Sequence, residues 1–196
     1  MTEGPVLNAR GEATRRRMLE AATAEFAEHG IAGARVDRIV AAAQSNKAQL
    51  YAYFGSKDAL FDTVFDASID RILDVVPISA DDLADWAVRL YDDYLVRPDL
   101  IRLATWRRLE RQPVGPLLAD AEGRHGAKLE AIAAAQARGE VASGEPFDIM
   151  AMVISMSMAW SPVSNVYAAS SDEAVAEHER RRAFLRDAVQ RVVAAR

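Results

Sequence analysis

The chain has 196 residues, no cysteine, and 24 Lys/Arg against 29 Asp/Glu for a net charge of −5. That length accommodates one or two modest domains with a proper core, and the lack of cysteine excludes disulfides and thiolate metal sites. Mild net acidity argues against a protein that coats nucleic acid without sequence preference. His29, His125 and His178 lie far apart, which disfavours a zinc site. The stretch "MTEGPVLNARGEATRRR" has no apolar core for a signal peptide, and no apolar run approaches the ~20 residues a membrane span needs. A soluble, intracellular, cytoplasmic protein is expected. The charge is uneven: residues 1–60 hold eight Lys/Arg against seven Asp/Glu, so the acidity belongs to the rest of the chain.

Apolar residues recur at helical spacing almost throughout and alanine is abundant, which predicts an all-α protein of about nine helices. The first runs over about 11–29, with Met18, Leu19, Ala22 and Phe26 on one face and Gly30 as its stop. A short second helix carries Val36, Ile39, Val40 and Ala43. The third follows Asn46 as N-cap, and the fourth follows Ser56 and continues until Pro77 breaks it. Ser79 is the expected cap of a fifth helix reaching about Val96, and Pro98 suits the first turn of a sixth reaching about Arg111. A seventh spans about 116–137. The eighth, "FDIMAMVISMSMAW", is apolar nearly all round, implying burial on several sides. A ninth repeats Leu185, Ala188, Val189, Val192 and Val193 along one stripe.

Helix two, the turn "QSN" and helix three have the dimensions of a helix-turn-helix, whose second helix can enter the DNA major groove. Leu50 and Phe54, four apart, pin one side of helix three to a small core and leave Lys47, Ala48, Gln49, Tyr51 and Tyr53 on other sides. Gln pairs bidentately with adenine, Lys reaches guanine or phosphate, Tyr hydroxyls bind phosphate, and Ala permits close approach or touches a thymine methyl. Lys57 adds a cation to a helix N-terminus, itself an anion-binding feature. By itself, a Tyr/Phe cluster such as "LYAYF" is more often ordinary core than a reading head.

Residues 15–61, "RRRMLEAATAEFAEHGIAGARVDRIVAAAQSNKAQLYAYFGSKDALF", resemble the N-terminal DNA-binding domain of TetR-family transcriptional regulators. The matches are "EFAEHG" ending helix one, "V..I...A" in helix two, "LYAYF" in helix three and "SKDALF" opening helix four. The resemblance implies a homodimer that places two recognition helices in successive major grooves of a palindromic operator, as a ligand-responsive repressor. It also implies phosphate contacts from Tyr51, Tyr53 and Lys57 and variable base readout from Lys47, Ala48 and Gln49. Asn46 joins this DNA-binding set. Where the family usually has Gly, Val and Thr, this chain has Gln44, Ser45 and Ala34; Arg35 could replace the threonine's phosphate contact by charge. A left-handed backbone at Gln44 would cost roughly 1–2 kcal/mol.

The expected division is a DNA-binding domain over 1–55, a linking helix over 56–76, and an effector-binding and dimerisation domain over 77–196. The resemblance implies dimerisation through the last two helices and a pocket for a mostly apolar effector between the others. Trp86, Leu90 and Tyr94 on helix five, Leu103, Trp106 and Arg107 on helix six, and Met150, Met156 and Trp160 on helix eight are candidate lining, though such stripes are more often core. Arg107 could hold an effector oxygen or form an ion pair. An enzyme finds no support: there is no phosphate-binding glycine loop, no Gly-x-Ser-x-Gly elbow and no Glu-x-x-His pair. No catalytic residues, metal ligands or cofactor are expected. A helical protein-interaction module that has lost specific DNA binding remains the rival.

Overall fold

The structure is a computed structural model and describes residues 9–115, 117 and 121–195. Among them are nine helices and no named strand: α1 (Ala9–Gly33), α2 (Val36–Ala42), α3 (Lys47–Phe54), α4 (Lys57–Val75), α5 (Leu83–Val96), α6 (Asp99–Glu110), α7 (Ala121–Ala137), α8 (Pro146–Ser157) and α9 (Val175–Val193). None of the described helices is long and apolar enough to cross a membrane. The expected start of the seventh helix at Pro116 lies outside the described residues.

Two compact units emerge. The first is the chain up to Asp70 together with Arg102–Pro113, and the second is Arg71–Ile101 with the chain from Val114 onward. Both α4 and α6 therefore run from one unit into the other.

The first unit packs the apolar faces of α1 to α4 around fully buried Met18, Ala22, Phe26, Ile39, Leu50, Leu60, Phe61 and Phe65. Phe26 meets Phe61 edge to face at 5.2 Å between ring centroids, and Phe61 stacks on Phe65 at 6.2 Å. Burying each such side chain contributes about 1.5–3 kcal/mol. Regular α1 ends at Gly30, as its sequence suggests. Its φ of 72° kinks the chain, and a Cβ there would collide with the Glu110 carboxylate and approach Trp106 to 2.9 Å. Only glycine fits.

In the second unit α5 is the central element, packed against α8 and α9, with buried Trp86, Leu90, Tyr91 and Tyr94 on it. Ile132 and Ala135 of α7, Met150 and Val153 of α8, and Leu185 and Val189 of α9 complete that core. The cap of α5 differs from expectation. Asp82, not Ser79, accepts from the Asp85 N–H at 2.8 Å, because the chain between Pro77 and Asp82 runs on as a turn before helix begins. α8 is also less buried than its composition suggests. Met150, Val153 and Ser157 face the core, while Phe147 and Met152 are exposed, since α5, α7 and α9 cover only part of its circumference. On α9 Leu185 and Val189 are inside, whereas Phe184 and Val192 face solvent.

Phe26→Ala is expected to lower the stability of the first unit by about 3–5 kcal/mol through loss of the buried ring and the cavity left behind. Urea unfolding monitored by circular dichroism, with the midpoint moving and the slope held, measures this.

Candidate nucleic-acid interface

The turn between α2 and α3 is built from hydrogen bonds that wrap the end of α2. The Gln44 N–H donates to Ala41 O at 3.1 Å and the Ser45 N–H to Val40 O at 2.9 Å, the paired arrangement of a Schellman motif. Gln44 holds the left-handed position with φ 51°, the sole non-glycine residue with positive φ among the described residues. The Arg17 guanidinium adds a cap, donating from Nε to Ala43 O at 3.1 Å.

α3 then starts under its own cap, with Asn46 Oδ1 accepting from the Gln49 N–H at 2.9 Å. Leu50 and Phe54 are buried, as their spacing requires. Lys47, Ala48 and Tyr51 are exposed, and Gln49 and Tyr53 are half-buried. Gln49 is held in place along the helix. Its Oε1 accepts from Ser45 Oγ at 2.7 Å and its Nε2 donates to Tyr53 Oη at 3.2 Å. One amide N–H and one carbonyl lone pair are left over, which is the complement that adenine N7 and N6 require. Ser45, where the resemblance would have valine, is thus a hydrogen-bond partner of Gln49.

The cations are less available than the sequence implies. Lys47 Nζ pairs with Asp37 Oδ1 at 2.8 Å on an exposed surface, and that hydrogen bond raises the ammonium pKa above its ordinary value. Lys57 Nζ donates to Ala34 O at 3.2 Å and Ala32 O at 3.4 Å, closing the connection between α1 and α2. Ser56 Oγ caps α4 by accepting from the Ala59 N–H at 3.0 Å. Arg35 is exposed at the N-cap of α2, where its side chain makes no cap; its N–H donates to Glu25 Oε1 at 2.8 Å. The same carboxylate binds Arg38 at 2.6 Å. Burial alone would raise the Glu25 pKa, yet the bonds from Arg38 and the Arg35 amide bring it below the usual carboxylate range. Of the three arginines at 15–17, Arg15 stacks over the Phe54 ring and Arg16 extends into solvent.

All eight DNA-binding candidates, Arg35, Asn46, Lys47, Ala48, Gln49, Tyr51, Tyr53 and Lys57, lie in the first unit, but two have structural work: Asn46 caps α3 and Lys57 caps carbonyls. Sequence reasoning missed Arg17, Asp37 and Glu25 as partners, since nothing in local spacing ties them to residues ten or more positions away.

The effector candidates divide between the units. Trp86, Leu90, Tyr94 and Met150 are buried in the second. Tyr94 is hydrogen-bonded to Ser157 and its pKa is pushed up to about 12 by burial. Trp160 sits edge-on to Tyr91 and Phe184. Lys128 of α7 lies over the Trp86 ring at 5.2 Å, and burial lowers its pKa to about 8. Leu103, Trp106 and Arg107 instead belong to the first unit. Trp106 Nε1 donates to Ala27 O at 3.2 Å, and Arg107 pairs with Asp62 at 3.2 Å while stacking on Phe65 at 4.6 Å. Those contacts engage the Trp106 indole N–H and one terminal nitrogen of Arg107, while the buried Arg107 Nε has no hydrogen-bond partner. No group of three potential metal ligands exists among the described residues.

Comparison with known proteins agrees with this geometry. Residues 18–64 match the family described as bacterial regulatory proteins of the tetR family, and residues 82–191 match the tetracyclin repressor-like C-terminal domain. The chain belongs to the TetR family. It is 39% identical over 147 residues to the HTH-type transcriptional repressor SCO4008 of Streptomyces coelicolor, covering 74% of this chain and 77% of that one. The repressor NicS of Pseudomonas putida is 29% identical over 105 residues, half of each chain. Among solved structures, the transcriptional regulator SCO4942 of Streptomyces coelicolor aligns at TM-score 0.79 and 37% identity over 93% of this chain and 99% of that one. A Saccharomonospora viridis regulator, solved in complex with choline, shares the fold at TM-score 0.63 and 18% identity over 94% of this chain and 100% of that one. This is a DNA-binding transcriptional regulator with a TetR-type helix-turn-helix.

Gln44→Gly should stabilise the first unit by about 1 kcal/mol, because glycine enters the left-handed position without the Cβ penalty. Thermal unfolding of the two proteins side by side tests it, and an unchanged or lower Tm would contradict the strain assigned to Gln44.

Proposed function

We propose that this regulator is a ligand-responsive repressor that binds a palindromic operator as a homodimer and leaves it when a small, mostly apolar effector binds. The observation that carries the reading is Gln49, held between Ser45 and Tyr53 on an exposed helix with one donor and one acceptor unsatisfied. Lys47, Ala48 and Tyr51 flank it, and Arg35 and Tyr53 complete the surface toward phosphate. The reading head spans residues 1–55, α4 links it onward, and residues 77–196 hold effector and dimer contacts.

Dimerisation through α8 and α9 is supported by the apolar side chains they leave exposed, Phe147 and Met152 on one and Phe184 and Val192 on the other. Two-fold symmetry in the operator requires two-fold symmetry in the protein. The effector set is Trp86, Leu90, Tyr94, Met150 and Trp160, with an ammonium at Lys128 suited to an anionic or carbonyl oxygen. Effector binding and operator binding then weaken each other equally, by a coupling of about 1–3 kcal/mol.

Selection of preferred sites from a random duplex pool, followed by salt titration on the enriched sequence, tests the DNA reading. A palindrome with half-sites about one helical turn apart is expected. Gln49→Ala should then relax preference at one base pair per half-site by about 1–3 kcal/mol. Lys47→Ala should weaken all sequences alike and flatten the salt dependence by about one phosphate contact per subunit. Asp37→Asn, which releases Lys47 from its ion pair, should tighten binding. Enrichment of no sequence at low salt would instead favour a helical protein-interaction module.

A further inference from the structure

Residues 30–35 connect α1 to α2 and contain no regular secondary structure beyond the kinked end of α1, so their backbone groups need partners from elsewhere. Four side chains supply them. Glu110, the last residue of α6, accepts from the Ile31 N–H through Oε1 at 3.0 Å and from the Ala32 N–H through Oε2 at 2.7 Å. Lys57 covers the carbonyls of Ala32 and Ala34, Arg38 Nη2 reaches Gly33 O at 3.3 Å, and Glu25 takes the Arg35 N–H. Glu25, Arg38 and Lys57 belong to α1, α2 and α4. Glu110 alone comes from α6.

α6 is itself firmly seated on the first unit. Arg102 Nε and Trp106 Nε1 donate to Ala27 O at 2.9 and 3.2 Å, respectively two turns and one turn before Glu110 on the same face. On the neighbouring face Arg107 and Arg111 pair with Asp62, Arg111 also with Asp58, and the two guanidinium groups stack on Phe65 and Phe61. The carboxylate of Glu110 is thereby delivered to a defined point. Gly30 makes room for it, since a side chain there would displace that carboxylate.

We propose that Glu110 is a positioning residue for DNA binding: by bridging the Ile31 and Ala32 amides it sets the α1–α2 connector, and with it the pose of α2 and the recognition helix α3. The N-cap of α2 has no side-chain cap of its own, so the start of that helix is held by the connector leading into it. Glu110 sits at the C-terminal end of α6, within the part of that helix that belongs to the first unit. The inference rests on the DNA-reading function proposed above and adds to it a residue that lies outside α1–α3 and positions them.

The test uses the full chain, the duplex enriched from the random pool, and the variants Glu110→Ala and Glu110→Gln. Glu110→Ala should raise Kd about tenfold with the slope of log K against log salt unchanged, because no phosphate contact is removed. Glu110→Gln, which keeps one carbonyl acceptor, should fall between it and the parent. In DNA-free protein, hydrogen exchange should show lost protection over residues 36–42 with α1, α4 and α9 protected as before. A parental Kd together with parental protection of α2 overturns the proposal. So does a loss of protection that spreads equally over α1 and α4, which would mark Glu110 as a general stabiliser of the unit. If the parent enriches no duplex, the DNA reading fails on its own, and the exchange profile still decides whether Glu110 sets the connector.

Discussion

A helix of seven or eight residues has almost no stability of its own in water, because nucleation costs more than so few hydrogen bonds return. α2 and α3 are that short, and the reading surface depends on them. What holds them is burial of Ile39, Val40, Leu50 and Phe54 together with saturation of both ends of the turn between them. Asn46 caps the start of α3, and Arg17 and the Schellman bonds close the end of α2. The side chains left pointing outward on α3 are fixed in direction by those constraints. Gln49 is fixed further by its two side-chain neighbours.

Such a reading head must expose cations to phosphate while remaining folded, and this chain resolves the conflict by giving most of its basic groups protein partners. Lys47 is paired with Asp37, Arg38 with Glu25, and Lys57 with carbonyl oxygens. The Lys47–Asp37 pair is exposed, and exposed pairs are worth little to stability, typically below about 1 kcal/mol, so Lys47 can exchange its carboxylate for a phosphate. The ones tied to backbone carbonyls are different. Removing Lys57 would uncover carbonyl groups of the connector, so its effects on DNA affinity and on folding are mixed by construction.

α6, expected to line an effector pocket, has several of its polar side chains engaged within the first unit. Trp106 and Arg107 read as polar-aromatic lining when viewed alone, and the Ala27 carbonyl accepts from the Trp106 indole while Asp62 pairs with Arg107. The second unit keeps a separate network, in which Tyr91 Oη donates to His178 Nδ1 at 2.7 Å and His178 Nε2–H donates to Ser170 O at 3.1 Å. A carbonyl only accepts, so that second bond assigns the ring proton to Nε2.

The amino-acid sequence determined the local features. Apolar period, alanine content and the caps at Asn46 and Ser56 act over three or four residues, and they place helices, the turn at 43–46 and the buried pair Leu50 and Phe54 without reference to the rest of the chain. The pattern around residues 15–61 also carries the family. Beyond the i,i+3 and i,i+4 pairs within single helices, tertiary structure alone decided which charge meets which partner. Glu110 reaches Ile31 across 79 positions and Arg107 reaches Asp62 across 45. A side chain's identity fixes what it can bind, whereas the packing of distant helices fixes which partner stands within 3 Å. For that reason the carbonyl partners of Lys57 and the Asp62 partner of Arg107 could not be read from the local sequence, whereas the side of α3 on which Gln49 lies could.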